Sequence, residues 1–431
     1  STRRMIDERP DISGLSVVSG LGNGRPSAQA ESDTGQRGLS PHHRTDPFRV
    51  CLLTSGSPAG RPVRYELNTY PRLALQSPQL STEAGQHRDQ EEDVNHKPTT
   101  VFDRLGALRG LLTISDDDFN AYMRSYDELF VDSPENTKAD HDNGVPLKGY
   151  PQGSSDELQE LYKVIHLLCT LGSVEKMYMP PEIDPEQSVL QNQILFERIV
   201  ANDLNLSRGD KVLDLGCGCG AIAEHIAELT GATPYGINLD RSQIEKSWKN
   251  PNLSSSNFTI GDFNKPLEFD DGAFDAIYAI QPMTYVSDHE STFREVFRVL
   301  KPGGMFVIND VAALDAYDRE NELQKTLIQH TRELTVFGGF WHYKYWEDSY
   351  RNAGFNLISS LGRPAVRMIK KEVALFDKYE AAFKFLAKVH LIPKKTDALM
   401  KRLNENSQSY IQAEEEELLT LNWHCVGQKP A

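Results

Sequence analysis

Val212-Leu-Asp-Leu-Gly-Cys-Gly-Cys-Gly220 is the stretch that settles the architecture of this chain. An apolar run ending in closely spaced glycines reads as a buried strand that turns tightly into a helix. Gly216 permits the turn, Gly218 lets a ligand approach backbone with no Cβ in the way, and the helix starting near Ala221 offers free amides beside it. Gly220 completes the set. Glycines alone leave a nicotinamide-type turn open, because Ala221 at the third position of that longer pattern is sometimes allowed.

The flanking residues decide between ligands. Asp214 precedes the turn, where a carboxylate can order the loop and meet an ammonium, which suits a zwitterionic amino acid better than a pyrophosphate. Asn238 ends the next expected strand, a short polar side chain suited to ribose hydroxyls. Asp262 and Phe263 end the third, one able to accept from an adenine amino group and the other to pack on the ring.

Working outward, strands are expected at Lys211–Cys217, Pro234–Leu239, Phe258–Phe263, Phe274–Ile280 and Met305–Val311. Between them lie helices at Ala221–Thr230 and Arg241–Lys249, and a helical face of Phe293, Val296, Phe297 and Leu300. Strict alternation implies a parallel sheet covered on both faces. A long helix near Asp315–Val336, a helix at Tyr343–Ala353 and strands at Phe355–Leu361 and Leu418–Val426 follow. The expected class is therefore α/β, a seven-stranded, mostly parallel Rossmann-like sheet. Ahead of it the pattern turns helical from Thr113, with Leu158, Leu161, Ile165 and Leu168 on one face and a further helix over Val189–Leu204.

Composition bounds the rest. The 431 residues carry a formal charge of −16, yet residues 1–100 hold 12 basic and 12 acidic side chains, so the acidity lies beyond them. That balance disfavours a nucleic-acid partner. Residues 1–100 are rich in Ser, Pro, Gly, Gln and Arg, with apolar groups too short to offset ordering entropy, and are expected to form a disordered extension. Residues 101–204 form a helical region and lid, 205–312 the cofactor-binding core, and 313–431 substrate-pocket helices and the last strands. Five scattered cysteines do not make a disulfide framework. Cys217 and Cys219 lack a second ligand pair nearby, so packing, not a metal, is expected there. Ser1–Pro10 is too polar for a signal peptide, and no apolar run approaches the roughly 18 residues of a spanning helix.

The motifs DKVLDLGCGCG, YGINLDRSQI, GDFNK, FDAIYAIQ, FREVFRVLKPGGMFVIND, WHYKYWEDSYRNAGF and LLTLNWHCVGQKP occur in order across roughly residues 158–430. In these the chain resembles the class I S-adenosylmethionine (SAM)-dependent methyltransferases and, within them, the sterol C-methyltransferase family. The resemblance implies SAM as cofactor, held by Asp214, Gly216, Gly218, Gly220, Asn238, Asp262, Phe263 and Gln281. It implies a sterol or isoprenoid acceptor, and a cytoplasmic enzyme at the periphery of the endoplasmic reticulum that touches the membrane surface. The chain departs from the family at three places. Leu167–Met177 reads LLCTLGSVEKM, without the family's Trp and Tyr residues. Gln281 and Tyr285 stand where the family has Glu and, four residues on, His.

Alkene alkylation needs a base to take a proton afterwards. Asp310, after the fifth strand, matches an acidic position of the family and is the candidate base, with Tyr285 and His342 as further catalytic candidates; Asp310 can equally cap a following helix. Loss of the Glu and His points to a divergent member, acting for instance on a carbon beside a ketone, where only enolisation is required. Two rival readings stand beside it: an O- or N-methyltransferase of a small metabolite, and a SAM-binding scaffold without turnover. The aromatic cluster Phe337, Phe340, Trp341, Tyr343, Tyr345 and Trp346 lines either an apolar cavity or the core. Glu414–Glu417 reads as a solvated helix face, and Arg363, Arg367, Lys370 and Lys371 as an exposed basic surface.

Overall fold

The computed structural model describes residues 101–129, 161, 164–167, 170–171 and 176–431. All of them belong to one unit, Leu67–Ala431; the expectation of a disordered extension over residues 1–100 lies outside the described residues.

The sheet is built from β1 (Lys211–Leu215), β2 (Thr233–Asn238), β3 (Phe258–Ile260), β4 (Phe274–Ile280), β5 (Leu300–Ala313), β6 (Asn356–Gly362) and β7 (Leu419–Gln428). Its order is β3-β2-β1-β4-β5-β7-β6. Strands β1 to β5 pair in parallel, and β7 runs antiparallel to both β5 and β6. The strand order reverses between β1 and β4, and at such a point the two following connections leave to opposite faces, opening a crevice beyond the carboxyl ends.

Helices α1 (Val101–Leu112), α2 (Asp116–Leu129) and α3 (Val189–Asp203) precede the sheet. Helices α4 (Ala221–Thr230), α5 (Arg241–Ser247) and α6 (His289–Val299) lie between its strands. Local chemistry sets their limits. Gly231, at φ 73°, ends α4 in the left-handed region. The Asp240 and Asp288 carboxylates accept from Ser242 N and Ser291 N to start α5 and α6. On α6, His289, Thr292, Phe293, Val296 and Val299 are buried at spacings of three and four, the stripe that packs against the sheet.

After β5 come α7 (Glu322–Thr335) and α8 (Tyr343–Ala353), and between β6 and β7 three helices that the sequence pattern did not announce: α9 (Val366–Lys388), α10 (Lys394–Asn404) and α11 (Ser407–Glu415). Leu399 and Met400 of α10 pack with Leu111 of α1, Tyr122 of α2, Leu161, Val164 and Ile165, making a helical layer whose partly buried rim includes Tyr285. Several expected limits shift. Helicity begins at Val101 rather than near Thr113, Leu300 opens β5 instead of closing a helical face, and β3 stops at Ile260, leaving Asp262 and Phe263 in the following loop.

Candidate active site

The glycine turn closes the crevice at the β1 end. Gly216 N and Cys217 N both donate to Ile237 O, at 2.9 and 3.1 Å, so the chain folds over the tip of β2. Gly216 has φ +78°, and a Cβ there would stand 2.6 Å from Pro282 Cβ; the turn and the exit of β4 are in direct contact. Gly218, at φ +54°, would carry a Cβ 2.8 Å from Gln243 Oε1. Gly216 needs glycine on two grounds, conformation and the rigid Pro282 ring, while Gly218 needs it for conformation, since the Gln243 amide can swing away. Gly220 is packed differently. Its Cβ direction meets Leu253 Cδ1 at 2.6 Å and Phe258 Cε1 at 3.3 Å, and its N–H donates to Cys217 O, so it seats the start of α4 on apolar neighbours.

Asp214 lies inside β1, 2% exposed, and accepts from Tyr278 Oη at 2.8 Å. Burial pushes its carboxyl up to about 7; the Tyr278 hydrogen bond opposes the rise and the charge of Glu197 adds to it. Asn238 ends β2, its carbonyl accepting from Gly261 N, while its side-chain amide makes no hydrogen bond within the described residues. Asp262 Oδ1 accepts from both Asn264 N and Nδ2. Phe263 belongs to the main apolar cluster of the sheet and reaches within 3.8 Å of the Gly216 Cβ position. A left-handed glycine turn, an unengaged amide on the neighbouring strand and a buried carboxyl fit an amino-acid nucleoside such as SAM.

The catalytic candidates divide. Asp310 is 1% exposed, with Oδ2 accepting from Met283 N at 2.7 Å and Oδ1 from Val311 N at 2.8 Å. Burial raises its carboxyl to about 7, against backbone hydrogen bonds from Val311, Met283 and Thr284. It caps the turn Met283–Tyr285 that follows β4, not a helix after β5. Tyr285 closes this turn and its hydroxyl donates to Val336 O. His289 holds the same turn from the other side, Nε2 lying 2.9 Å from Met283 O, and burial lowers this imidazole to about 4.

His342 is elsewhere. It caps α8 through Lys344 N and lies 3.1 Å from Asp315, with its backbone bridged to Ala313 at the end of β5, so its side-chain bonds run to Lys344 and Asp315 and not to the turn held by Asp310. Gln281 has the left-handed φ of 59°. Its Oε1 accepts from Met179 N, and its Nε2 donates to Met179 O and Leu421 O. A carboxylate could make only the first of these bonds, which accounts physically for an amide at this position.

A buried ionic group escaped the sequence reading. Glu197 of α3 accepts from Lys176 Nζ and meets His225 Nδ1 through Oε2, both at 2.5 Å, and accepts from Tyr178 Oη through Oε1 at 2.8 Å. Its partners are 19 to 28 residues away. The one sequence signal was an acidic residue between Phe196 and Val200, on a buried face that also carries Asn192 and Gln193.

Other expectations resolve as packing. Trp341, Tyr345 and Trp346 enclose His289 edge-on, and Phe337 stacks with Phe340, so the aromatic cluster is largely core. Glu414 is buried, unlike Glu415, Glu416 and Glu417, which corrects the solvated face. Arg367, Lys370 and Lys371 pair with Glu182, Glu415 and Glu186, leaving little free basic surface. Among the described residues there is no cluster of three or more potential metal ligands, and no helix is long and apolar enough to cross a membrane.

Comparison with known proteins agrees with this geometry. A family profile described as a methyltransferase domain matches residues 206–354. The sterol 24-C-methyltransferase of Aspergillus fumigatus is 34% identical over 166 residues, 38% of this chain and 44% of that one. The Saccharomyces cerevisiae sterol 24-C-methyltransferase is 33% identical over 168 residues, with the same shares. The match thus spans less than half the length of these relatives. A botryococcene C-methyltransferase of Botryococcus braunii is 27% identical over 266 residues, 57% of this chain and 68% of that one. Among solved structures, the [4+2]-cyclase SpnF superposes with a TM-score of 0.50 at 20% identity, over 64% of this chain and 96% of its own. That neighbour is a cyclase, so the fold by itself does not specify methyl transfer. Profile, glycine turn and strands β1 to β5 coincide on one region, and residues 206–354 match a methyltransferase domain.

Proposed function

We propose that this protein transfers the methyl group of SAM to a carbon of a sterol or related isoprenoid lipid. The observation that carries the reading is the left-handed Gly216–Gly218 turn pressed against Pro282 where the strand order reverses, within the region that matches the methyltransferase profile. The lipid acceptor is supported by relatives named for sterol and botryococcene C-methylation, the second similar over more than half of this chain.

SAM supplies an already electrophilic methyl group, so the protein's task is mainly orientation. Asn238 would hold the ribose, Asp214 the amino-acid end, and Asp262 with Phe263 the base; Gly216 and Gly218 give the backbone clearance. Asp310 and Tyr285 meet on one turn at the carboxyl edge. There Asp310 holds the loop through its amides, and Tyr285 faces the helical layer against which an apolar acceptor would lie. Gln281, spent on Met179 and Leu421, is not a base. Methyl transfer to a carbon next to a ketone requires that carbon to lose a proton on enolisation, and Asp310 is the candidate to take it. Contact with a membrane surface, if the acceptor is drawn from one, would not run through the paired Arg367, Lys370 and Lys371.

The test is transfer from labelled SAM to a panel of sterols, sterol ketones, linear isoprenoids and small polar amines or phenols. Label in the lipid carbon skeleton is the expected result. Label only in the amines or phenols would replace this reading by an O- or N-methyltransferase, which the Gln281 and Tyr285 replacements also permit. Binding of SAM with no transfer to any class would leave a non-catalytic SAM-binding protein.

A further inference from the structure

We infer that Glu197 is a positioning residue that ties the segment around Lys176–Tyr178 to the helix leaving the cofactor turn, and so holds the crevice in its binding-competent shape; this rests on the proposed use of SAM. Three separate pieces of chain meet at this one carboxylate. Lys176 and Tyr178 reach it from the segment leading into α3, His225 from α4, and Glu197 itself stands on α3.

Each piece leads directly to the crevice. One residue past Tyr178, Met179 is gripped through its N–H and its carbonyl by Gln281, the last residue before Pro282, which itself touches Gly216. His225 lies in the second turn of α4, whose first residue follows Gly220. Gln193, one turn before Glu197, donates to the carbonyls of Lys176 and Tyr178, so main chain and side chains of the segment are held by the same helix. The segment is therefore fastened to α3 on one side and to the end of β4, which borders the crevice, on the other.

The chemistry is that of a built node. Glu197 is fully buried, and although burial opposes its charge, the His225 hydrogen bond and the Lys176 charge hold its carboxyl below the usual range. A buried ionic group contributes little net stability over an apolar replacement, while it fixes geometry strictly because each partner has one place to go. His225 Nε2 is buried with no partner, so the imidazole is held through Nδ1 alone and depends on Glu197 for its orientation.

The test compares the parent with Glu197→Gln and Tyr178→Phe. SAM affinity is read by calorimetry, amide hydrogen exchange over residues 176–181 by mass spectrometry, and sheet integrity by circular dichroism. Expected is a loss of SAM affinity of about tenfold in Glu197→Gln and about threefold in Tyr178→Phe, with faster exchange confined to 176–181 and an intact sheet. In turnover the KM for SAM rises while kcat at saturating SAM holds. Unchanged affinity in the folded variants, or exchange that rises uniformly, overturns the inference. Should Glu197→Gln fail to fold, Tyr178→Phe decides by the same criteria. A parent protein that binds no SAM would instead overturn the proposed function.

Discussion

The backbone N–H of Met283 donates to Asp310 Oδ2 at 2.7 Å, joining the loop after β4 to the body of β5. The other carboxylate oxygen takes Val311 N, and His289 faces the Met283 carbonyl. Asp310 is thus engaged through both oxygens with main chain, and it shapes the turn that carries Tyr285. Asp310→Asn must turn an amide NH2 toward one of these N–H groups, leaving buried donors unpaired at a cost of about 2 kcal/mol. Urea unfolding should show that loss, and SAM affinity should change less than about threefold. Activity should fall with the disordering of the turn; a drop of about a thousandfold in a variant of parental stability would instead make Asp310 the base.

Gly216 and Gly303 share nearly the same φ, +78° and +79°, but a Cβ at Gly303 meets nothing within 4 Å whereas at Gly216 it meets Pro282 at 2.6 Å. Gly303→Ala should therefore cost about 1 kcal/mol, the conformational term alone. Gly216→Ala adds overlap between the turn and the β4 exit, for about 3 kcal/mol in all. Calorimetric SAM binding should survive the first substitution and be lost in the second. Equal effects of the two would mean that the contact with Pro282 relaxes freely.

The sheet was legible because its signals are local. Ala221–Thr230, Phe274–Ile280 and Tyr343–Ala353 stand within the limits that periodicity and caps set. Helices α9 to α11 were not, because their buried side is completed by distant partners: Leu399 and Met400 meet Leu111 and Ile114 almost 300 positions earlier, and no window of sequence contains both halves. The same holds at the site. Gly216, Gly218 and Asn238 are candidates that one motif and its spacing put forward. A glycine's missing Cβ looks alike in sequence whether it faces a ligand or, as at Gly220, Leu253. The Lys176–Glu197–His225 group needs three elements brought together before it exists at all.

Gln281 holds a left-handed conformation that costs a non-glycine residue about 1–2 kcal/mol, and three side-chain hydrogen bonds to Met179 and Leu421 accompany it. Gln281→Glu restores the acidic residue of the resembled family but turns two donated bonds into repulsion between a carboxylate and carbonyl oxygens. A loss of about 2 kcal/mol is expected, with faster exchange at Met179 and weaker SAM binding. Activity gained on substitution would show that the acid is missing from the chemistry, not displaced by the scaffold.

Glu414 gives the sharpest pH dependence. Its Oε1 accepts from Ala365 N, its Oε2 is buried without a partner, and burial lifts the carboxyl from 4.5 to about 8, with the Glu182 charge adding to the rise. The folded value lies above the unfolded one, so the folded chain keeps a proton that the unfolded chain has released. The stability contributed is complete below about pH 4.5 and is lost progressively as pH rises to about 8. Asp214 and Asp310, both raised to about 7, act in the same direction, while His289, lowered to about 4, opposes them only below 6.5. Glu414→Gln keeps an acceptor for Ala365 N and removes the titration. The difference in unfolding free energy between variant and parent should therefore move in the variant's favour across that window, by about 3 to 5 kcal/mol in total. Urea titrations at pH 5 and pH 8.5 measure it. A difference that stays constant between the two would mean that Glu414 finds solvent or a counter-charge in solution, and that its buried oxygen is not held protonated by the fold.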